Sequence, residues 1–181
     1  PYREGEGWQT WLYHPIGDPT AYPLVNVELT VHAEPGIVIA SGGPIYGLGG
    51  YPGLGADGVW RFKVERARGM AFLASPFYEV LVDESGPVKF FSYHLAEHAD
   101  AGRAALAAAR DAVALFAELY GPYPYGTLAV VENGFFGGME YSELITITDY
   151  AYSTYTGEAA SVLHALIAHE AAHQWWYGAV G

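Results

Sequence analysis

Cysteine is absent from this 181-residue sequence. Disulfides, thiolate metal sites and cysteine nucleophiles are excluded together, and His, Asp and Glu remain as the side chains able to hold a metal. The redox compartment stays open. Charge is also scarce: 15% of residues are charged, against a usual share of about a quarter, while 51% are hydrophobic. That composition excludes a disordered chain and suits one ordinary domain or two small ones with a dry core. No run approaches the ~18 to 20 uninterrupted apolar residues of a membrane helix. Residues 1–7 carry charge and glycine where a signal peptide carries an apolar stretch, so no membrane segment is expected. Positive charge is scarcest of all, with eight Lys and Arg against 20 Asp and Glu and a net charge of -12. A nucleic-acid surface needs clustered cations and is excluded.

The deficit has a position. Arg110 is the last basic side chain, and Asp111, Glu118, Glu132, Glu140, Glu143, Asp149, Glu158 and Glu170 follow it with no Lys or Arg among them. Such a stretch is either a solvated acidic face or a place for cations, metal or ammonium.

The hydrophobic period changes near residue 99. Before it, Val25, Val27, Leu29 and Val31 alternate with Leu24, Asn26, Glu28 and Thr30 as a strand with one apolar face. Short runs at 37–40, 59–64, 70–74, 78–82 and 88–93, separated by Pro-Gly and Gly-Gly-Pro breakers, predict further antiparallel strands. After it, Ala99 to Tyr120 predicts a helix with Leu106, Val113, Phe116 and Tyr120 on its core stripe, stopped by Gly121-Pro122. Strands are predicted at 127–132 and 144–148. A second helix is expected to start near Thr156 and Glu158 and to end at Gly178.

That second helix contains His169-Glu170-Ala171-Ala172-His173, an H-E-x-x-H pattern. Residues four apart on a helix share a face about 6 Å apart, so two imidazoles can hold one tetrahedral metal. Glu170, one step round, can act as base for a water whose pKa the metal lowers. Chance would produce the pattern in a chain this long on the order of once in a hundred. The inverted pattern His94-Leu95-Ala96-Glu97-His98 has a weaker context. His94 ends a strand and His98 enters the next element, where four-residue spacing guarantees no common face. His14, His32 and His164 stand alone and are expected to be ordinary polar positions. Gly137-Gly138-Met139-Glu140 can bring a backbone close to a ligand beside a carboxylate. By itself the signal is weak and reads more readily as a Gly-Gly turn with a solvent-facing acid.

Taken together, Gly137-Gly138-Met139-Glu140, the later His169-Glu170-Ala171-Ala172-His173-Gln174-Trp175-Trp176 and the loop Gly121-Pro122-Tyr123-Pro124-Tyr125 resemble the zinc aminopeptidase family of membrane alanyl aminopeptidase and leukotriene hydrolase. The resemblance is strong from Tyr120 onward and weaker before it. It implies an α+β chain: residues 1–95 as the later part of an N-terminal β domain, and 96–181 as the start of a thermolysin-like catalytic domain. It implies zinc on His169 and His173, Glu170 as general base, and Glu140 as the carboxylate that binds the α-ammonium of a peptide with a free N-terminus. Gly137, Gly138 and Met139 then lie on the strand edge along which the peptide runs. The sequence departs from the family at Tyr141, where the family commonly has Asn. The family's third zinc ligand, a Glu separated from the second His by about 18 intervening residues, falls at position 192, beyond Gly181. The segment is therefore expected to hold zinc weakly and to be inactive alone. Exposed Trp175, Trp176 or alanine-rich helix faces would then be surface that a missing part covers. An endopeptidase or epoxide hydrolase on the same scaffold, and a non-catalytic interaction domain, are the alternatives.

Overall fold

The computed structural model describes residues 2–10, 22–45 and 50–180. His14 and Gly181 lie outside them. The strands are β1 (Tyr2–Arg3), β2 (Gly7–Trp8), β3 (Val25–His32), β4 (Val38–Ser41), β5 (Val59–Ala67), β6 (Phe72–Ser75), β7 (Tyr78–Asp83), β8 (Lys89–Leu95), β9 (Thr127–Asn133), β10 (Gly138–Tyr141) and β11 (Leu144–Thr148). The helices are α1 (Ala99–Tyr120), α2 (Asp149–Ser153) and α3 (Val162–Ala172), with a 3-10 turn at Ala96–His98 before α1. Helix and sheet are mixed, with antiparallel sheets, as the α+β expectation requires. No described helix is long and apolar enough to cross a membrane.

One five-stranded sheet organises the chain, in the order β10-β11-β9-β8-β7. Its outer pairs are antiparallel, but β9 runs parallel to both β8 and β11. The long connection α1 explains the β8–β9 pairing, because parallel neighbours need a crossover of a dozen or more residues and a helix supplies it. The sheet also crosses the expected division between residues 95 and 96. Strands β7 and β8 precede it, yet β8 pairs with β9 from Lys89↔Thr127 to Tyr93↔Val131. Hydrophobic period marks where helix begins, and it carries no information about which strands share a ladder.

Both faces of this sheet are covered, which is why its strands read as continuous apolar runs. Alternation sends Phe90, Leu128, Val130, Ile145 and Ile147 to one core, against α1 and α3. It sends Phe91, Tyr93, Ala129, Val131 and Leu144 to another, with Ile39, Trp60 and Phe62 from the earlier strands. The β3–β5 and β4–β6 pairs cover that second face, and β3 keeps Val27, Leu29 and Val31 half-buried while Asn26, Glu28 and Thr30 face out.

α1 occupies the predicted span, and Gly121 ends it with φ 103° and an N–H bonded to Ala117 O at 3.1 Å. Its buried face differs from the expected stripe. Ala101, Gly102, Ala105, Ala109, Ala112 and Val113 are buried; Phe116 and Leu106 pack at the margin, and Tyr120 is exposed. Small residues let the helix lie close on the sheet, so close that a Cβ on Gly102 would meet the His94 ring.

The second predicted helix is shorter and preceded by another. Gly157 takes φ 98°, which interrupts any helix begun at Thr156. α3 starts instead after Ser161, whose hydroxyl accepts the His164 N–H, and ends with Ala172, so His173 is its cap and residues 174–180 form turns.

Candidate active site

His169 points from the last turn of α3 and His173 caps it, still with helical dihedrals of φ -63° and ψ -14°. Their Nε2 atoms are 3.3 Å apart. Two nitrogens each about 2.0 to 2.1 Å from one tetrahedral zinc stand about 3.3 to 3.4 Å apart, so the pair has the separation that the ion requires. His173 Nδ1 lies 3.1 Å from the carbonyl oxygen of Trp176. With Nδ1–H donating to that carbonyl, the Nε2 lone pair faces His169, the tautomer a metal ligand needs. The turn that follows the helix is thus part of the site, because it brings Trp176 O back to His173.

Glu170 is buried, and its Oε2 has no hydrogen-bond partner. Burial, reinforced by the nearby Glu140 charge and partly offset by His173, pushes its carboxyl up from the ordinary range to about 7. Glu140 comes from β10, one of the two edge strands of the sheet among the described residues. Ligand atoms of Glu140, Glu170 and His173 all lie within 4.8 Å of one another. The motif residues that the sequence separates by about thirty positions therefore converge. Gly138 allows it: on the same face of β10 as Glu140, it has no Cβ to meet the Glu170 side chain.

No family model and no curated protein matches this chain. The donor set suits zinc: two imidazoles at the right separation, one with its tautomer held, beside a buried carboxylate with an oxygen left over.

The opposite face of β10 borders a second feature. Met139, Tyr141, Phe135, Phe136, Phe72 and Leu73 line a cavity of about 370 Å³. Met139 and Tyr141 alternate with Gly138 and Glu140, so the carboxylates and this apolar hollow sit on either side of one edge strand. Gly137, with φ 87°, immediately precedes it, and its carbonyl accepts the Thr148 N–H at 2.9 Å.

The inverted motif is not assembled. His94 is 1% exposed, with Nε2 3.9 Å from Glu79, and burial lowers its pKa. His98 Nδ1 instead lies 2.6 Å from Glu132 Oε1, and Glu132 Oε2 accepts the Leu95 N–H at 2.9 Å. Glu132 thereby anchors the start of the 3-10 turn and α1, a structural role. His32 is exposed, and His164 bonds the Ser161 cap. The acidic stretch divides: Asp111, Glu118, Asp149 and Glu158 face solvent, while Glu132, Glu143 and Glu170 are buried and Glu140 is half-buried.

Two residues of the site's surroundings stand within the acidic stretch and the motif run, but their places there assign them no role. Gln174 is 1% exposed and bonds the β10–β11 hairpin on both sides. Glu143, in that hairpin, is buried with φ 61°, accepts the Thr127 hydroxyl, and is pushed up to about 7 by burial. The two tryptophans part company. Trp175 is buried, with Nε1–H donating to Gly121 O at 3.0 Å, whereas Trp176 is exposed against Tyr120.

Proposed function

We propose that the chain carries the metal-binding helix and the amine-recognition strand of a zinc-dependent aminopeptidase, on a thermolysin-like catalytic domain. The observation that supports this reading most is the convergence of Glu140 with Glu170 and His173. An H-E-x-x-H helix alone suits any zinc hydrolase; a further carboxylate from the neighbouring strand suits one whose substrate brings a cation.

His169 and His173 would hold zinc, with the carboxylate expected near position 192, beyond Gly181, as the third protein ligand. When bound, zinc supplies Lewis acidity, polarising a carbonyl and lowering the pKa of water. Glu170 takes a proton from the attacking water at its unpartnered Oε2 and delivers it to the leaving amine. A carboxyl near 7 is suited to both transfers at neutral pH, since it is neither too weak a base nor too weak an acid. Glu140 pairs with the substrate α-ammonium, which also relieves its repulsion of Glu170. The peptide adds along β10, so that its alternating side chains meet the carboxylate face and the apolar hollow in turn.

The test is hydrolysis of free and N-acetylated aminoacyl substrates by the zinc-loaded full-length protein. Cleavage restricted to the free amine is expected. Equal cleavage of both would remove the role of Glu140 and leave an endopeptidase. Zinc binding with no hydrolysis of either would point to an epoxide hydrolase, and no zinc binding to a non-catalytic domain.

A further inference from the structure

We infer that Gln174 is a positioning residue whose side-chain amide sets the distance between Glu140 and His173. The inference rests on the aminopeptidase reading and adds to it a residue that contacts neither metal nor substrate.

Gln174 follows His173 directly and uses both ends of its amide on one hairpin. Its Nε2–H donates to Tyr141 O at 3.0 Å, and its Oε1 accepts the Glu143 N–H at 3.0 Å. Tyr141 is the residue after Glu140. A single side chain thus spans from the residue beside one His ligand to the residue beside the ammonium carboxylate. The amide is planar and buried, so both bonds are satisfied only at one placement of the hairpin.

The backbone of Gln174 is itself held. Its N–H donates to Ala171 O at 3.1 Å, its carbonyl accepts the Ala179 N–H at 3.2 Å, and the His173 carbonyl accepts the Gly178 N–H at 2.8 Å. Gly178 packs so tightly that a Cβ there would stand 2.5 Å from Gln174 O. On the other side, the hairpin is tied into the sheet by its ladder with β11 and by the Ala129 N–H to Glu143 O bond at 2.9 Å. Each partner is therefore rigid by its own bonds, and Gln174 couples two rigid bodies. Its loss is expected to leave both standing while the gap between them loosens.

Gln174→Met keeps the length of the side chain and removes both hydrogen bonds; Gln174→Glu keeps the acceptor for Glu143 N–H. The readout is binding of L-alaninol and N-acetyl-L-alaninol, which carry no scissile aminoacyl bond, to the zinc-loaded full-length protein by calorimetry, with zinc affinity and thermal melts measured alongside. The unmodified protein is expected to prefer the free amine about a hundredfold. Gln174→Met should lower that preference about tenfold while zinc affinity stays within about threefold, and Gln174→Glu should fall between the two. An unchanged preference in folded Gln174→Met overturns the positioning role and leaves the aminopeptidase reading intact. No preference in the unmodified protein overturns the reading and this role with it. Unfolding of both variants would assign Gln174 to the fold alone and also overturn the proposal.

Discussion

A Cβ added to Gly138 would stand 2.7 Å from the carboxyl carbon of Glu170. The glycine is thus a steric condition on the Glu170 carboxyl, the proposed base: any side chain at this strand position displaces it. Gly138→Ala is expected to lower kcat of the zinc-loaded full-length protein at least about a hundredfold, as loss of a positioned general base does. The melting temperature should change little, since the neighbour that must give is the end of a side chain. Activity within a few fold of the unmodified protein would separate Gly138 from the base.

His169→Ala or His173→Ala should each weaken zinc binding at least about a hundredfold, because a tetrahedral site loses one of its few protein ligands. His98→Ala and His94→Ala serve as controls. They should leave zinc affinity unchanged, since those rings are engaged with Glu132 and Glu79. Calorimetric titration with zinc distinguishes the four variants.

Glu140→Gln keeps the shape of the side chain and removes its charge. For free aminoacyl substrates kcat/KM should fall by about two orders of magnitude, with any residual cleavage of N-acetylated substrates unchanged. Comparable losses on both substrate types would mean that Glu140 acts on the reaction and not on the amine.

Glu143 sets a pH dependence. Its carboxyl titrates near 4.5 when unfolded and near 7 in the fold, raised chiefly by burial. Between these values the folded chain holds the proton more tightly, so stability is highest below about pH 4.5 on this account and declines as pH rises through 7. Glu170 has the same direction and adds to the decline in metal-free protein. Glu143→Gln should remove its share, stabilising the protein above pH 7 by on the order of 3 kcal/mol and flattening the profile. Melting curves from pH 5 to pH 8 test this; an unchanged slope in the variant would place the cause elsewhere.

Legibility in the sequence depends on whether the signal is local. α1 can be read to its boundaries because an alanine-rich helix and its Gly121-Pro122 stop are written in consecutive residues. Its core face cannot, for the opposite reason: large residues attract attention, whereas close approach to the sheet selects the alanines and Gly102. The second helix reads too long because its apolar content runs on past His173. Chain geometry, with Gly157 at φ 98° before it and the Trp176 turn after it, cuts it to Val162–Ala172.

By itself the sequence determined the types of chemistry open to the protein: no thiol, no Lys or Arg after Arg110, and two imidazoles with a carboxylate in helical spacing. Helical periodicity is a local property, so His169 and His173 could be placed on one face from their numbers alone. Only the tertiary structure decided that Glu140 reaches the same place, that His94 and His98 do not form a second one, and that Gln174 spans helix end and hairpin. Those facts depend on which strands pair and in what register. Strand pairing joins residues far apart in the chain through backbone groups that every residue carries, and so leaves no mark in the identity of the side chains.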